Sequence, residues 1–567
     1  MATTKSYFRR EGDVPLLDCT IPEHFAGIVS RYSDQQAVVS VSQKQSLNYS
    51  ELSCQIDNLA KALIYYGFGQ GDCIGIWSTN NLEWIIVQMA TARIGAILVN
   101  INPAYRTQEL KFALQRSQVQ CLFIIPSFRK SNYQTMMTDL LPELRHCDND
   151  HFFSTVLPDL RRIIVFDPKN QEQPVCAQKG FTPWTKMLDG AQWVSSEQLE
   201  TISASLNADD TINIQYTSGT TGFPKAVMLS HHNILNNAYF AAQAMYFNHQ
   251  DRLCVPVPFY HCFGMVLANL LCFSVGATVV IACDYFDAEA VLETIEQQHC
   301  TAVHGVPTMF IAELELPNFN QFNLHTLRTG IMAGAPCPSE LMKRVMRDMH
   351  CQEILIAYGQ TEASPITHLT SREDSLERRT ETVGKNLPHQ EVKIIDIDSG
   401  ELVSLGEAGE ICFRGYHVMQ GYYADSEATA KAIDKEGWLH SGDLGSMDEE
   451  GYLKITGRLK DLVIRGGENI YPREIEDTIF SHPKVVEVAV FGLPDDFYGE
   501  ELVAWIRLHP GETSCANEIQ EYCKNKLAHY KIPTVIRFVD CFPMTVTAKL
   551  QKFRMREIMI AEGNDKT

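Results

Sequence analysis

Hydrophobic and polar positions alternate along most of the chain with the periods of helices and strands. Apolar side chains recur at helical spacing at Leu52, Ile56, Leu59 and Leu63. Ser50 can cap this helix. Residues 73–77 and 96–99 are short apolar runs typical of buried strands, and residues 82–92 between them fit a helix. This alternation predicts an α/β fold, a large N-terminal domain of layered α/β subdomains in which helices cover the sheets.

The same alternation resumes after residue 210. Residues 211–216 place Ile212, Ile214 and Tyr216 on one face, the period of a half-buried strand, and residues 226–229 are apolar again. Ser230 can cap a helix that begins near His231. Further helices are predicted near 288–298 and 339–349, and further strands at 302–305 and 353–357. Residues 147–191 lack a clear period, so we expect a surface connection there.

After residue 392 the apolar runs become short and are separated by turns, which predicts a small β-subdomain up to residue 423. A charged, hinge-like segment follows at 458–461, and beyond it lies a compact α+β C-terminal domain. The predicted organisation is therefore an N-terminal unit at 1–457, a hinge at 458–461 and a C-terminal unit at 462–567. In the last unit strands are predicted at 462–464, 485–491, 502–508 and 535–539, and helices near 472–480 and 518–527. Pro472 suits a first helical turn.

One stretch without charged side chains, residues 259–283, is long enough to suggest a membrane span. It contains polar residues such as Asn269, and Gly276 divides it. A buried helix at 265–273 followed by a strand at 277–282 is the better interpretation.

Composition narrows the possible partners. The formal net charge is −21 and the hydrophobic fraction is 45%, as in a globular protein without general attraction to nucleic acid or anionic membranes. Seventeen cysteines are scattered from Cys19 to Cys541 without a CxxC pair, which indicates reduced thiols inside a cell. We expect small-molecule substrates and no transmembrane segment. Any phosphate must be bound by local positive charge.

The loop between strands 211–216 and 226–229 has the composition of a phosphate-binding loop. Residues 217–225 hold four hydroxyls, two glycines and one lysine, Lys225. Glycines let backbone N–H groups approach oxyanions, and the lysine adds charge. A Walker A loop is excluded because two residues separate the glycines, Phe223-Pro224 precedes the lysine and a strand follows.

This loop resembles the AMP-binding signature of the adenylate-forming superfamily, which includes acyl-CoA synthetases, aryl-CoA ligases and luciferases. The resemblance implies that the β- and γ-phosphates of ATP lie against the loop residues Thr217, Ser218, Gly219, Thr220, Thr221, Gly222, Phe223, Pro224 and Lys225. It extends over residues 20–558, nearly the whole chain. ATP, Mg²⁺ and coenzyme A as a cosubstrate are the ligands that it implies.

Further motifs resemble the nucleotide-binding elements of the same family. Gly334, Ala335 and Pro336 resemble the turn that lies along adenine, and Tyr358 would stack on the ring. In the same motif, Thr361 would bind the α-phosphate. The resemblance places Mg²⁺ at Glu362 and Thr217, whose oxygens suit a hard cation. It assigns the ribose to Asp443, which follows Trp438, and to Arg458.

The remaining resemblances concern catalysis and domain movement. Lys549 resembles the lysine that stabilises charge during adenylation, so the implied catalytic set is Lys549, Glu362, Thr361 and Lys225. Lys460 lies where the family hinge turns the C-terminal unit, and Gly466, Gly467 and Glu468 resemble the loop that serves thioester formation. His261 resembles a residue of the acyl pocket, although a histidine satisfied within the core is nearly as good an interpretation.

These resemblances imply a ligase that joins a fatty acid to coenzyme A through an acyl-adenylate, with AMP and pyrophosphate as the other products. Several stretches, such as residues 359–365 and 465–472, lie nearest the medium-chain acyl-CoA synthetase branch. That branch is largely mitochondrial, and a cytoplasmic location is the alternative. An aryl-CoA ligase remains open, and a luciferase-like oxygenase is a distant third. A nucleotide-binding pseudoenzyme is suggested only by Ala548, which stands where the family usually has glycine before the lysine.

Overall fold

A computed structural model describes residues 4–147, 152–170, 178–217, 224–335, 337–465, 468–495, 497–524, 526–544 and 550–564. Four principal β-sheets form the framework, three in the N-terminal part and one in a small C-terminal domain. The chain is thus a mixed α/β protein, as its hydrophobic pattern predicts. No helix among the described residues is both long enough and apolar enough to cross a membrane.

The first sheet has eight strands and carries the phosphate-type loop. In spatial order the strands are Thr182–Pro183, Arg162–Val165, Cys121–Ile124, Cys73–Trp77, Ile97–Ile101, Thr211–Thr217, Lys225–Ser230 and Gly421–Tyr422. Pairing is parallel as far as Thr211–Thr217 and antiparallel beyond it. The carboxyl ends of the parallel strands therefore lie at one edge, where ligands of open α/β sheets bind.

The second sheet has nine strands. In spatial order they are Lys385–Asn386, Ile366–Leu369, Glu353–Gly359, Thr329–Met332, Ala302–Gly305, Arg252–Cys254, Thr278–Ile281, Gln36–Ser40 and Gln45–Asn48. The six central strands from Glu353–Gly359 to Gln36–Ser40 are parallel, and the outer pairs are antiparallel. Two sequence motifs, at residues 333–336 and 358–362, therefore follow neighbouring parallel strands.

The third sheet is antiparallel, and the fourth belongs to the C-terminal domain. The strands of the third are Tyr7–Arg10, Gln390–Ile395, Gly409–Gly415, Leu439–Met447 and Leu453–Arg458. The strands of the fourth are Glu468–Ile470, Val463–Arg465, Gly499–Leu508 and Val485–Asp495, with Val535–Phe538 parallel to Gly499–Leu508. A fifth, two-stranded sheet is the hairpin of Ser127–Phe128 and Ser131–Asn132.

Helices cover both large sheets and the C-terminal sheet. They are Ile21–Tyr32, Tyr49–Tyr65, Leu82–Arg93, Thr107–Arg116, Tyr133–Leu140, Trp184–Leu188, Ser196–Ala204, His231–Ala244, Cys262–Gly264, Leu271–Val275, Ala288–Gln297, Pro307–Leu314, Ser339–Asp348, Leu376–Glu381, Ser426–Ala432, Pro472–Phe480, Ala516–Lys524 and Lys552–Asn564. A π-helical turn, Met265–Leu270, joins Cys262–Gly264 to Leu271–Val275. The uncharged stretch thus forms one buried helical segment and then a strand, as predicted.

The main hydrophobic core joins buried residues of all three N-terminal sheets. It includes residues of the helices Tyr49–Tyr65, Leu82–Arg93 and His231–Ala244 and of the segment 262–275. A second core lies under Ala288–Gln297, Pro307–Leu314 and Ser339–Asp348, which cover the other face of the nine-stranded sheet. The C-terminal domain has cores of its own.

Two local predictions need correction. The helix Tyr49–Tyr65 is capped by Asn48, whose side chain accepts from the Glu51 N–H in a capping box, and not by Ser50. Residues 147–191 are more than a surface connection, since Arg162–Val165 lies buried within the first sheet. The prediction that Ser230 caps the helix His231–Ala244 is confirmed, and Pro472 begins its helix as expected.

Candidate active site

The phosphate-type loop joins two antiparallel strands whose ends face each other. Thr217 ends one strand, Lys225 begins the next, and the two residues are direct partners in the ladder. The tip of the loop, Ser218, Gly219, Thr220, Thr221, Gly222 and Phe223, lies outside the described residues. The Lys225 ammonium lies 4.6 Å from the centre of the Tyr422 ring. The base of the predicted loop thus offers a hydroxyl and a positive charge on one side.

Glu362 connects this hairpin with the second sheet. Its Oε1 accepts hydrogen bonds from the Thr217 hydroxyl at 3.3 Å and from the Tyr422 hydroxyl at 3.0 Å. Its backbone carbonyl accepts from the Met419 N–H. Burial and the neighbouring Glu362 carboxylate raise the pKa of Tyr422, so the phenol keeps its proton as a donor. The two residues predicted to bind Mg²⁺ are therefore in contact.

Asp443 forms a second cluster with Tyr358 and Arg458. The Tyr358 hydroxyl donates to Oδ2 at 2.7 Å, and Nε of Arg458 lies 3.0 Å from Oδ1. Asp443 and Arg458 are direct partners on adjacent strands. The Asp443 side chain is 7% exposed and that of Arg458 is 54% exposed, so this cluster is open on the arginine side. The charge of Asp443 raises the pKa of Arg458.

The turn predicted to lie along adenine follows the neighbouring parallel strand. Gly334 has φ +85°, a conformation that favours glycine. The Ala333 N–H donates to the Gly305 carbonyl, and the Cys337 thiol donates to the Ala335 carbonyl at 3.4 Å. Pro336 lies outside the described residues. Because the strand before this turn is paired with the strand that contains Tyr358 near its end, both predicted adenine contacts lie at the same sheet edge.

Thr361 links the predicted nucleotide site to the uncharged helical segment. Its hydroxyl lies 3.6 Å from the Cys262 thiol and is almost completely buried. His261 caps that segment, since its Nδ1 accepts from the Phe263 N–H at 3.2 Å. The ring of His261 therefore has a structural task at the helix start, which agrees with the alternative of a satisfied histidine.

A further polar side chain, that of Glu410, lies on the strand Gly409–Gly415, which pairs with the strand that carries Asp443. Glu410 accepts the Gly442 N–H at 3.1 Å through Oε1 and the ring of His440 at 2.9 Å through Oε2. Hydrogen bonds with Cys412 and Glu410 raise the pKa of His440 to about 10. Gly442 has φ +69° and precedes Asp443 directly. Glu410 thereby fixes the backbone turn that presents Asp443.

The other predicted site residues lie in the segments that follow Arg458 or outside the described residues. Lys460 is exposed in the short helical turn Leu459–Asp461, and Glu468 begins the strand Glu468–Ile470. Gly466, Gly467 and Lys549 are among the residues that the structure does not describe. Their predicted roles remain predictions.

Sequence reasoning missed Tyr422 and Glu410. Tyr422 lies within the region predicted as a small β-subdomain, yet its two-residue strand pairs with Lys225–Ser230 of the first sheet. A strand of two residues has no readable period. Glu410 stands in the alternating run 409–415, where a polar residue on the solvent face is expected.

Comparison with known proteins gives matches along almost the entire chain. The model of the family described as "AMP-binding enzyme" matches residues 25–423, and that of the "AMP-binding enzyme C-terminal domain" matches residues 474–549. The chain belongs to the AMP-binding enzyme family. This confirms the predicted superfamily and its enzymatic character.

Relatives of this AMP-binding enzyme match it at nearly full length. A putative acyl-CoA synthetase, YngI of Bacillus subtilis, is 47% identical over 97% of this chain and 98% of its own. The mitochondrial medium-chain acyl-CoA ligase ACSF2 of Danio rerio is 41% identical over 98% of this chain and 90% of its own. Among solved structures, the anthranilate CoA ligase AuaEII in complex with anthranoyl-AMP has a TM-score of 0.84 at 25% identity, covering 97% of this chain and 99% of its own.

Proposed function

We propose that this AMP-binding enzyme is an ATP-dependent acyl-CoA ligase that activates medium-chain fatty acids. The observation that carries the proposal is the convergence of Thr217, Glu362 and Tyr422 beside the Tyr358–Asp443–Arg458 cluster. Hydroxyls, carboxylates and an arginine suit a nucleotide where the carboxyl ends of parallel strands meet the third sheet, as they do at the Tyr358–Asp443 contact. Relatives named medium-chain acyl-CoA ligase support the choice of substrate.

The contact between Thr217 and Glu362 suits a magnesium ion. The hydroxyl oxygen and the carboxylate oxygen lie 3.3 Å apart, and such hard oxygen ligands are those that Mg²⁺ prefers. We therefore assign these two residues to Mg²⁺, which would neutralise phosphate charge when bound. The Tyr422 hydroxyl holds the same carboxylate oxygen and so fixes its direction.

The nucleotide would lie along the joined sheet edges. In this arrangement adenine packs on Tyr358 and the 334–335 turn, the ribose hydroxyls bind Asp443 and Arg458, and Thr361 donates to the α-phosphate. Each Asp443 oxygen has one further lone pair after its present contact, which leaves capacity for the ribose. The β- and γ-phosphates then reach the loop that ends in Lys225.

The reaction has two steps that use one site. First, a carboxylate oxygen of the fatty acid forms a bond with the α-phosphorus while the bond to the pyrophosphate oxygen breaks. Lys225 then neutralises the leaving pyrophosphate, and Lys549 stabilises charge on the α-phosphate. Second, the thiol of coenzyme A loses its proton and its sulfur bonds to the acyl carbon, and AMP departs with the acyl C–O electron pair.

The uncharged segment 262–275 supports an aliphatic substrate. Its residues are buried in the main core, and Cys262 at its start contacts Thr361 at the predicted α-phosphate position. An acyl chain entering beside Thr361 would therefore meet apolar walls rather than charges.

A panel of acids tests the substrate class. Octanoate, with shorter and longer fatty acids, benzoate and anthranilate, should be incubated with ATP, Mg²⁺ and coenzyme A, and AMP and thioester measured. We expect the largest kcat/KM for a medium-chain acid. A larger value for an aromatic acid would favour the aryl-CoA ligase, the second candidate, which the similarity to the anthranilate CoA ligase structure supports. ATP binding without any AMP release would indicate the pseudoenzyme.

Separate assays of the two steps test the lysine roles. Lys225→Ala and Lys549→Ala should each lower octanoate-dependent pyrophosphate exchange by about two to three powers of ten, the usual cost of losing a transition-state charge partner. Both should retain most thioester formation from supplied octanoyl-adenylate. Lys435→Ala, at an exposed lysine, is the matched control. Equal loss of both steps would refute the assignment.

A further inference from the structure

A cluster of three metal-ligand side chains lies in the third sheet, on the strand that carries Asp443 and on its neighbour. Glu410 and Cys412 stand two residues apart on the strand Gly409–Gly415, so they share a face. His440 on the strand Leu439–Met447 is the direct partner of Cys412. Their ligand atoms all lie within 4.8 Å of one another. Antiparallel pairing thus brings a thiol, an imidazole and a carboxylate together.

The distances suit one small cation. Nδ1 of His440 lies 2.9 Å from Oε2 of Glu410 and 3.7 Å from Sγ of Cys412. Tetrahedral zinc with bonds of about 2.0–2.3 Å separates its ligand atoms by roughly 3.3–3.6 Å. Both distances from His440 Nδ1 lie within a few tenths of an ångström of these values, and the Glu410 and Cys412 ligand atoms lie within 4.8 Å of each other.

Two of the three side chains, His440 and Glu410, have neighbouring groups of the kind that support metal ligands. Oδ2 of Asp434 lies 3.7 Å from Nε2 of His440, the nitrogen on the far side of the ring. Asp434 is held in place by the N–H groups of Glu436 and Trp438, at 2.8 and 2.9 Å. The second carboxylate oxygen of Glu410, Oε1, accepts a hydrogen bond from the Gly442 N–H. The hydrogen bond from Gly442 fixes the direction of the Glu410 carboxylate, and the Asp434 carboxylate lies behind the histidine, where a small approach would let it accept from Nε2.

The cluster is buried on the side of Cys412 and exposed to solvent on the side of His440. Cys412 is fully buried in a small apolar cluster with Ile395 and Trp438. The His440 side chain is 30% exposed, so an ion can enter beside the ring. The three protein ligands leave a fourth coordination position for water.

From this arrangement we propose that Glu410, Cys412 and His440 form a binding site for a divalent transition metal of the zinc class. The thiol and imidazole select such an ion over Mg²⁺, which prefers oxygen ligands alone. On binding, the metal replaces the thiol proton of Cys412 and the proton of His440 Nδ1, and both leave to solvent. The site is separate from the Thr217–Glu362 contact and does not depend on the acyl substrate proposed above.

Cobalt(II) is the probe, because its absorption spectrum reports both thiolate ligation and tetrahedral geometry. The reduced full-length chain should be titrated with Co²⁺ in the presence of excess Mg²⁺. We expect a thiolate-to-cobalt charge-transfer band that saturates at one ion per chain, with the intense visible bands of a tetrahedral site. Zn²⁺ should displace the cobalt and abolish both signals.

Variants assign the signal to these residues. Cys412→Ser and His440→Gln should each abolish the charge-transfer band or its saturation at one ion per chain. Asp434→Asn should keep the band and weaken Co²⁺ binding by about 10- to 100-fold. A Cys54→Ser, Cys515→Ser double variant, at two exposed cysteines, is the matched control and should behave as wild type. Absence of the band in wild type, or its persistence in both ligand variants, would overturn the proposal.

Discussion

Asp443 is the residue on which the predicted nucleotide site most depends. A single carboxylate receives the Tyr358 hydroxyl on one oxygen and the Arg458 guanidinium on the other. The three residues come from three different strands, so the carboxylate fixes the distance between the second and third sheets at the edge where the nucleotide would bind. Loss of its charge should therefore disturb nucleotide binding more than loss of either partner.

Separate replacement of Asp443 and Tyr358 tests whether loss of the carboxylate charge weakens nucleotide binding more than loss of the tyrosine hydroxyl. Asp443→Asn should raise the KM for ATP by about 10- to 100-fold, since hydrogen bonds to a charged group contribute roughly 1.5–3 kcal/mol. Tyr358→Phe removes one neutral donor and should raise it by about 2- to 10-fold. AMP release at saturating octanoate measures both. Tyr285→Phe, at an exposed tyrosine, serves as control. An unchanged KM in Asp443→Asn would contradict the ribose assignment.

Glu313 is a second residue with a measurable consequence, and it lies on a helix that packs in the second core. It is 1% exposed on the helix Pro307–Leu314, and its Oε2 has no hydrogen-bond partner among the described residues. Burial raises its pKa from 4.5 to about 8. The folded protein therefore keeps this carboxyl protonated at pH values where the unfolded chain ionises it, and folding takes up a proton between these two pKa values.

This linkage predicts that stability falls with rising pH. Below pH 4.5 the carboxyl is protonated in both the folded and the unfolded states and adds no pH dependence. Between pH 4.5 and 8 the free energy of unfolding should fall by about 1.4 kcal/mol per pH unit, a total of about 5 kcal/mol. Glu313→Gln should remove that slope. Urea midpoints measured from pH 5 to 8 report it, with Glu293→Gln at an exposed position as control. Parallel wild-type and Glu313→Gln pH profiles would show that the buried carboxyl is not the cause.

At the scale of elements, the segment 262–275 is held by contacts at its start and middle. His304 has both ring nitrogens engaged, since Nδ1 accepts from the Ile331 N–H and Nε2 lies 2.9 Å from the Leu267 carbonyl. Burial lowers the pKa of His304 to about 4, so the ring is neutral and its proton is on Nε2. This histidine ties the π-helical turn to the strand that leads to the 333–336 turn.

The start of the same segment is closely packed and can be tested at Gly264. A Cβ at this position would lie 2.3 Å from the Pro258 carbonyl oxygen, which is backbone and cannot rotate away. Gly264→Ala should therefore lower the free energy of unfolding by about 1–3 kcal/mol and raise the KM for octanoate. Urea denaturation and AMP release measure the two effects.

Gly27→Ala is the matched control for this substitution. Gly27 lies in the helix Ile21–Tyr32, and a Cβ added there would meet nothing within 4 Å. The substitution should stabilise the protein by about 0.5–1 kcal/mol, because alanine loses less backbone entropy in a helix. Equal effects of the two substitutions would mean that the contact at Pro258 does not constrain the segment.

Elements with a long, clear period were predictable from sequence, and short ones were not. The helix His231–Ala244 and its Ser230 cap follow from local chemistry alone. The cap at Asn48 was misassigned to Ser50 because both residue types can cap and the choice depends on where the preceding strand ends. Arg162–Val165 was missed because its four residues acquire their strand character from the neighbours that cover them.

At the scale of the whole molecule, the sequence indicates which motifs belong to one site but not how they meet. Thr217, Glu362 and Tyr422 come from distant parts of the chain, and only the arrangement of two sheets brings them together. The position of the C-terminal domain against the N-terminal part likewise depends on contacts between residues that are far apart in the chain. One such contact pairs His509 with Glu315 at 3.8 Å on partly exposed side chains, which makes a weak link.

The hinge prediction can be tested by limited proteolysis. Leu459 and Lys460 are exposed between the last strand of the third sheet and the first strand of the C-terminal domain. Exposed connections between domains are preferred sites of cleavage. Trypsin should cut first after Lys460, as shown by mass spectrometry of the early fragments, and Lys460→Gln should delay that cut. A first cut elsewhere, with residues 458–461 intact, would refute the hinge.

The pairing of Gly421–Tyr422 with Lys225–Ser230 also bears on the order in which the protein is made. About 200 residues of chain separate the two strands. The Tyr422 hydroxyl donates to Glu362, and the face of the Tyr422 ring lies against the Lys225 ammonium. A ribosome-bound chain that ends before residue 420 lacks this edge strand, however well its first sheet has formed. Capacity to bind ATP should therefore appear late in synthesis, after most of the N-terminal part has emerged.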